Sequence, residues 1–305
     1  MDLSVVVPTL NGRERLSACL DALASGVRER LPDAEVIVVN GPSVDGTTGM
    51  VRDREDVDVL VEVGDRNVNA ARNAGLHRAR GSVVAFVDDA LAVEDGWLDA
   101  LRSALESEDR PGVVTGPTHR TLRGGMTTED VERRTVAGRT VTYFNGGNAA
   151  FRRSVLDAVD GFDEYLLTGG ARDAAHRLAA AGQTVAWEPA MSVRQEFGTD
   201  GGRTERDWHW RYRALAYRLV KNYGARTSWR VLRHALVDAG STLREVARGE
   251  RTPSGWLGNG REVATGGAIG LKDGLLARYR DRSEGHNPRG LSARSDRAVA
   301  VYDRR

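Results

Sequence analysis

Residues 86–101 read FVDDALAVEDGWLDAL. The apolar run SVVAFVDD, residues 82–89, ends on two carboxylates, Asp88 and Asp89, and the next position is Ala90. A short, near-continuous apolar run is the pattern of a strand covered on both faces. The two acids at its carboxyl end either build a site or stand in water, and the neighbouring elements decide which.

Upstream, ARNAGLHRARG (71–81) reads as a helix, and VDVLVEVG (57–64), EVIVVN (35–40) and LSVVV (3–7) read as three more buried strands. Pro8 closes the first strand, and Asn11 is placed to cap a helix with the apolar face Leu16, Cys19, Leu20 and Leu23. Strands alternating with helices predict an α/β fold with a mainly parallel sheet covered on both faces. Ligands of such sheets lie beyond the carboxyl ends of the strands. Pro8, Thr9, Asn40, Asp88 and Asp89 all fall at such ends, so one crevice is expected to collect them.

Downstream, RTVTYFNGGNAAFRRSVLDAVDGFDEYL (139–166) reads as a strand, a Gly-rich turn and a helix capped near Gly161. ARDAAHRLAAA (171–181) is strongly helical, and from about residue 203 the chain turns to amphipathic helices. The Ser-, Arg- and Gly-rich stretch from residue 284 is expected to be disordered. The division expected is a catalytic-type domain over 1–202, a basic helical extension over 203–283 and a disordered tail over 284–305.

With 40% hydrophobic and 29% charged residues in 305, the composition is that of a globular protein. No apolar run approaches the roughly 18 to 20 residues needed to span a bilayer, and no basic region precedes the first apolar stretch, as a signal peptide requires. A cytoplasmic location is expected. The single cysteine, Cys19, rules out an internal disulfide and belongs to a helix face. The net charge of +1 conceals a division: residues 203–305 hold 22 basic and 11 acidic side chains, against 22 and 32 in residues 1–202. The basic part carries no groove-reading motif, so nucleic acid is not the expected partner. Helices such as WRVLRHALVDAG, with apolar residues at spacings of three and four and arginines between, suit an anionic membrane surface, where each charge contributes roughly 1 kcal/mol.

Several motifs occur in a telling order. Pro8-Thr9-Leu10-Asn11-Gly12 is followed by Glu35 to Val39 with Ser43, Asp45, Gly46 and Thr47, and then by Ala71-Arg72-Asn73-Ala74-Gly75 with Ala79-Arg80-Gly81. Next come Asp88 with Gly96-Trp97-Leu98, Gly146-Gly147-Asn148-Ala149-Ala150-Phe151-Arg152-Arg153, and Gly161-Phe162-Asp163-Glu164. Over residues 3–197 this order resembles the inverting family 2 glycosyltransferases of GT-A fold. The resemblance implies a Rossmann-like mixed sheet with a C-terminal helical extension, a nucleotide-sugar donor and single displacement at the sugar. The leaving diphosphate then needs cationic stabilisation and the acceptor hydroxyl a base.

By the same resemblance Pro8, Thr9 and Asn40 line the nucleobase and Arg72 lies near base or ribose. Asp88 and Asp89 hold the ribose or a divalent cation, Mg2+ or Mn2+, and Gly147 and Asn148 face the acceptor side. Four departures stand out. Asn40-Gly41 replace two acids, Ala90 replaces the second acid of an Asp-x-Asp motif, Gly170-Ala171 replace a Glu-Asp pair, and Gln195 replaces a late histidine. Two of them reduce the metal site, so Arg172 or Arg194 is expected to answer the diphosphate with guanidinium forks. Asp173 is then the expected base, with Asp163 and Glu164 in reserve, and His176, Trp208 and Trp210 are expected to be structural. The implied activity moves a hexose or hexuronic acid to a saccharide on polyprenyl or dolichyl phosphate, at the cytoplasmic membrane face. It would serve protein glycosylation or surface glycan synthesis. A catalytically silent scaffold of the same fold is the rival.

Overall fold

The computed structural model describes residues 1–122, 125–128, 131–195, 207–248, 252–281 and 287–305. The chain forms two units, one of residues 1–200 with 284–305 and one of residues 201–283.

The first unit begins β1 (Leu3–Thr9), α1 (Arg13–Leu23), β2 (Glu35–Asn40), α2 (Thr47–Arg52), β3 (Val59–Val63), α3 (Val68–Arg78) and β4 (Val83–Val87). Then follow β5 (Leu91–Val93), α4 (Trp97–Glu106), β6 (Val113–Thr115), β7 (Thr118–Leu122), β8 (Gly125–Thr128), β9 (Arg133–Val136), β10 (Arg139–Thr142) and β11 (Asn148–Arg152). The remaining elements up to residue 200 are α5 (Arg153–Ala158), α6 (Gly170–Ala180), β12 (Val185–Trp187) and β13 (Val193–Gln195).

β1 pairs in parallel with β2 on one side and β4 on the other, so Val6 lies beside both Ile37 and Phe86. Alternation along β1 divides the core. Leu3, Val5 and Val7 pack with Leu16, Leu20 and Trp97 on one face, and Val6 packs with Val39, Ala74 and Phe162 on the other. Phe86 meets Phe151 and Phe162 edge to face at 5.8 and 5.1 Å, each pair worth about 0.5–1.5 kcal/mol beyond its burial. α3 lies so close to the sheet that a Cβ at Gly75 would overlap Val6 and stand 3.1 Å from Val39. Antiparallel β11 fits between β4 and β6, which makes the sheet mixed and sets the Gly146-Gly147 turn against the end of β4.

The second unit is built on α7 (Trp208–Tyr223), α8 (Ser228–Ala247) and α9 (Pro253–Arg280). Gly266, Gly270 and Gly274 recur every four residues on the α9 face that meets α7. A Cβ at any of them would strike the backbone of His209, Arg213 or Tyr217. Main chain therefore packs on main chain, which only glycine permits here.

The expectation of a disordered tail over 284–305 is corrected for residues 287–305; residues 284–286 lie outside the described residues. β14 (Ala298–Asp303) pairs antiparallel with β3 and closes that edge of the eight-stranded sheet. The segment before it is anchored by Arg297, whose buried guanidinium pairs with Glu164 and donates to the Gly290 carbonyl at 2.7 Å. Asp160 accepts from the backbone N–H and the hydroxyl of Ser292, each at 2.8 Å. A composition rich in arginine concealed the strand alternation of AVAVYD. His77 also contacts Arg297, and burial and that guanidinium hold the imidazole below the usual histidine range. The folded chain thus prefers neutral His77, while the unfolded chain takes up the proton near pH 6.5. Stability is therefore lost as pH falls below about 6.5. His77→Gln should flatten that loss between pH 7 and 5, measured by urea unfolding at each pH.

Candidate functional site

A crevice of about 300 Å³ lies beyond the carboxyl ends of β1, β2, β3 and β4. Pro8 and Thr9 follow from β1, Asp65, Arg66 and Asn67 from the turn after β3, and Asp88, Asp89 and Ala90 from the turn after β4; Arg15 of α1 completes the wall. The parallel order of these strands is what brings residues so distant in sequence together.

Asp89 is largely buried. Its Oδ2 accepts from the Thr9 hydroxyl at 2.6 Å and from Arg15 at 3.3 Å. Burial raises the Asp89 pKa above the ordinary carboxylate range, opposed by the Thr9 bond and the Arg15 charge. Asp88 is more open, with its Oδ1 bound to Arg72 at 2.8 Å. Arg72 is itself buried and lies over the Phe162 ring at 5.4 Å, so Asp88 is held from behind. Two glycines make room for these acids. A Cβ at Gly12 would overlap Asp89 and come within 2.7 Å of the Thr9 hydroxyl, and one at Gly147 would overlap the Asp88 carboxylate. Gly147 thus makes room for the Asp88 carboxylate and does not itself line the crevice.

Other expected site residues have different tasks. Asn40 is buried and spends its side chain on Ser43 at 2.6 Å and Thr48 at 3.0 Å, so it pins the loop after β2 and adds no wall to the crevice. Asn11 does not cap α1. It accepts from the Val44 N–H at 2.9 Å, and Asp45 receives the Arg13 N–H at 3.1 Å instead. Asn148 is fully buried, taking the Trp97 indole N–H at 2.9 Å and donating to the Met191 carbonyl at 2.8 Å; it ties α4 to β11 and does not face an acceptor. Arg172 pairs with Glu132 at 2.6 Å and stacks on Tyr143, while Arg194 pairs with Glu94 at 3.7 Å; neither lines the crevice.

Asp173 is also corrected. It is fully buried on α6 and paired with Arg177 at 2.9 Å. A carboxylate neutralised in the interior is out of reach of an acceptor hydroxyl. Of its reserves, Asp163 is buried and holds the Tyr165 N–H, and Glu164 binds Arg297 and Asn73. His176 is buried against Tyr143, edge to face at 5.5 Å. The departure at Gly170 has a steric cause: a Cβ there would lie 2.5 Å from the Asn69 amide carbon, so no acidic side chain fits.

A divalent cation needs several oxygen ligands with charge to spare. Among the described residues no three Asp, Glu, His or Cys side chains converge as a metal site. The two acids at the end of β4 each already carry an arginine, and Ala90 supplies no ligand. This set does not fit a cation held by the protein.

The reading of the sequence missed Arg15, Asp65, Arg66 and Asn67. The signal was available, because GDRNVN (64–69) follows a parallel strand by the same rule that singled out Thr9 and Asp88.

A family model described as Glycosyl transferase family 2 matches residues 4–160. Glycosyltransferase AglE of Haloferax volcanii is 28% identical over 212 residues, covering 62% of this chain and 67% of that protein. The pre-mycofactocin glycosyltransferase of Mycobacterium tuberculosis is 28% identical over 224 residues, covering 68% of this chain and 44% of that protein, so the chain spans less than half of that relative. Among solved structures, the mannosyltransferase PcManGT from Pyrobaculum calidifontis, in complex with GDP-Man and Mn2+, superposes with a TM-score of 0.55 at 17% identity, over 92% of this chain and 88% of that one. S. aureus TarS 1–349 in complex with UDP-GlcNAc gives 0.56 at 18%, over 75% and 70%. At these identities the structural likeness establishes the GT-A fold.

Proposed function

We propose that this chain, which belongs to glycosyl transferase family 2, moves a hexose or hexuronic acid from a nucleotide-sugar donor to a lipid-linked saccharide. The reaction is an inverting displacement at the anomeric carbon, carried out at the cytoplasmic face of an anionic membrane. The product serves protein glycosylation or a surface glycan. The observation that carries the donor side is the convergence of Thr9, Asp88, Asp89 and Arg72 at the strand ends. In this arrangement the Thr9–Asp89 and Arg72–Asp88 pairs offer fixed polar groups to ribose and base, and the acceptor hydroxyl approaches from the open side of Asp88.

Support for the membrane comes from α8. Trp229, Leu232, Leu236 and Leu243 form an exposed apolar stripe along it, and Arg233, Arg244 and Arg248 flank the stripe on one side. Arg230 lies 5.3 Å from the centre of the Trp229 ring. That is the layout of an interfacial helix, with apolar residues for the acyl boundary and arginines for anionic headgroups. No helix among the described residues is long and apolar enough to cross a membrane.

The full chain, mixed with vesicles of anionic or of zwitterionic lipid, should sediment with the anionic ones alone and release in high salt; Leu232→Glu with Leu236→Glu should abolish sedimentation. Radiolabel from UDP-, GDP- or dTDP-sugars should enter the organic phase when a polyprenyl-diphosphate saccharide is supplied. Failure to transfer from any donor to lipid or free saccharide would sink the enzymatic reading. The sequestered Asp173 and the loss of an acid at Ala90 favour a second reading, a silent scaffold, which predicts donor binding without transfer.

A further inference from the structure

We infer that the diphosphate of the donor is neutralised in this protein by guanidinium groups of the crevice, Arg66 foremost and Arg15 beside it, in place of a divalent cation. This rests on the reading of the crevice as a nucleotide-sugar site.

The first observation is a balance of charge. Asp65 pairs with Arg294 at 2.7 Å, Asp88 with Arg72 at 2.8 Å and Asp89 with Arg15 at 3.3 Å. Every carboxylate of the crevice wall therefore meets an arginine, and Arg294 also meets Glu164 at 3.4 Å. Arg66 is left over: it lines the crevice, is exposed, and has no ion pair or side-chain hydrogen bond among the described residues. Among the described residues Arg66 is thus the one guanidinium of the crevice wall that answers no carboxylate, and its charge is open to a polyanion.

The second observation concerns donors. Arg15 gives Asp89 one long bond, and its Nε is buried with no acceptor. The side chain is 39% exposed, so its terminal N–H groups beyond that one bond are open to a phosphate oxygen at the mouth of the crevice. Arginine suits this use because its planar fork presents parallel N–H groups to phosphate and keeps its charge at any physiological pH. As the sugar–phosphate bond breaks, charge builds on the leaving diphosphate. Fixed guanidinium groups meet it without reorganising.

The test is calorimetric binding of UDP, GDP and dTDP to the full chain, with manganese and again with EDTA. One nucleoside diphosphate should bind with the same affinity, within about twofold, under both conditions. Arg66→Ala should weaken it about 10- to 100-fold, the worth of a charged hydrogen bond, and Arg66→Lys should weaken it less. The matching nucleoside, which has no phosphate, should bind wild type and Arg66→Ala alike. Arg66 is exposed and has no ion pair or side-chain hydrogen bond among the described residues, so its loss does not threaten the fold. Binding that appears with manganese alone, or an unchanged affinity in Arg66→Ala, would overturn the inference while leaving the donor site in place. No binding of any nucleotide under either condition would remove both.

Discussion

Arg177→Met should lower the unfolding free energy by about 3–5 kcal/mol, the cost of removing one partner of a buried ion pair. Arg177 is buried with Asp173, binding it at 2.9 Å, and its remaining N–H groups donate to the carbonyls of Val159 and Gly161. The substitution takes from the buried Asp173 carboxylate the guanidinium that pairs with it, and takes one donor from each of two carbonyls. Typical domains are stable by about 5–15 kcal/mol, so the variant is marginal. Asp173→Leu combined with Arg177→Met should regain most of the loss, because an apolar pair of similar volume no longer buries charge. Urea unfolding of the single and double variants decides this. A single variant as stable as the wild type would show that Asp173 is open to solvent and available as a base.

Gly147→Ala should lower donor affinity and transfer together, by about 100-fold, which is what a displacement on the order of 1 Å costs a reacting centre. The added methyl group would overlap the Asp88 carboxylate and lie 2.8 Å from the Asp88 Cβ, so rotation of the carboxylate alone cannot relieve it. Asp88 is held on both sides, by Arg72 at its Oδ1 and by the Gly147 carbonyl, which takes the Asp88 N–H at 3.1 Å. One contact must give. Gly49→Ala is the control, since a Cβ there meets nothing within 4 Å. It should leave donor binding unchanged. Calorimetry with the nucleotide that the wild type binds compares the two, and wild-type affinity in Gly147→Ala would exclude Asp88 from the donor wall.

The four parallel strands were legible because β-branched runs closed by Pro8, Asn40, Gly64 and Asp88 leave few other foldings, and the crevice at their ends followed from topology. Partners were not legible. Asp173 and Arg177, spaced i and i+4, look alike on a wet helix and inside a core, and only tertiary packing shows that this face is buried. Asn148 reads as a polar site residue, yet a buried amide with three backbone and indole partners is a fastener. Arg172 and Arg194 stand out by their charge, and the acids that claim them, Glu132 and Glu94, sit in loops far away in sequence. Gly147 was seen as part of a motif, but its reason, the space taken by Asp88, exists only when β11 lies beside β4. The stretch that forms α9 reads as an amphipathic helix, whereas its glycines at every fourth position form a seam against α7.

The edge strand β14 has a consequence for how the protein is made. Its partner β3 ends at Val63, and β14 begins at Ala298. At roughly 5–20 residues per second of synthesis, the rim of β3 waits on the order of ten to fifty seconds for its cover. During that time its unpaired N–H and C=O groups are a template for any other nascent chain. A ribosome that stops early, or a protease that clips before residue 298, leaves that rim bare for good. Residues 298–303 therefore decide whether that rim is covered or left open to other chains.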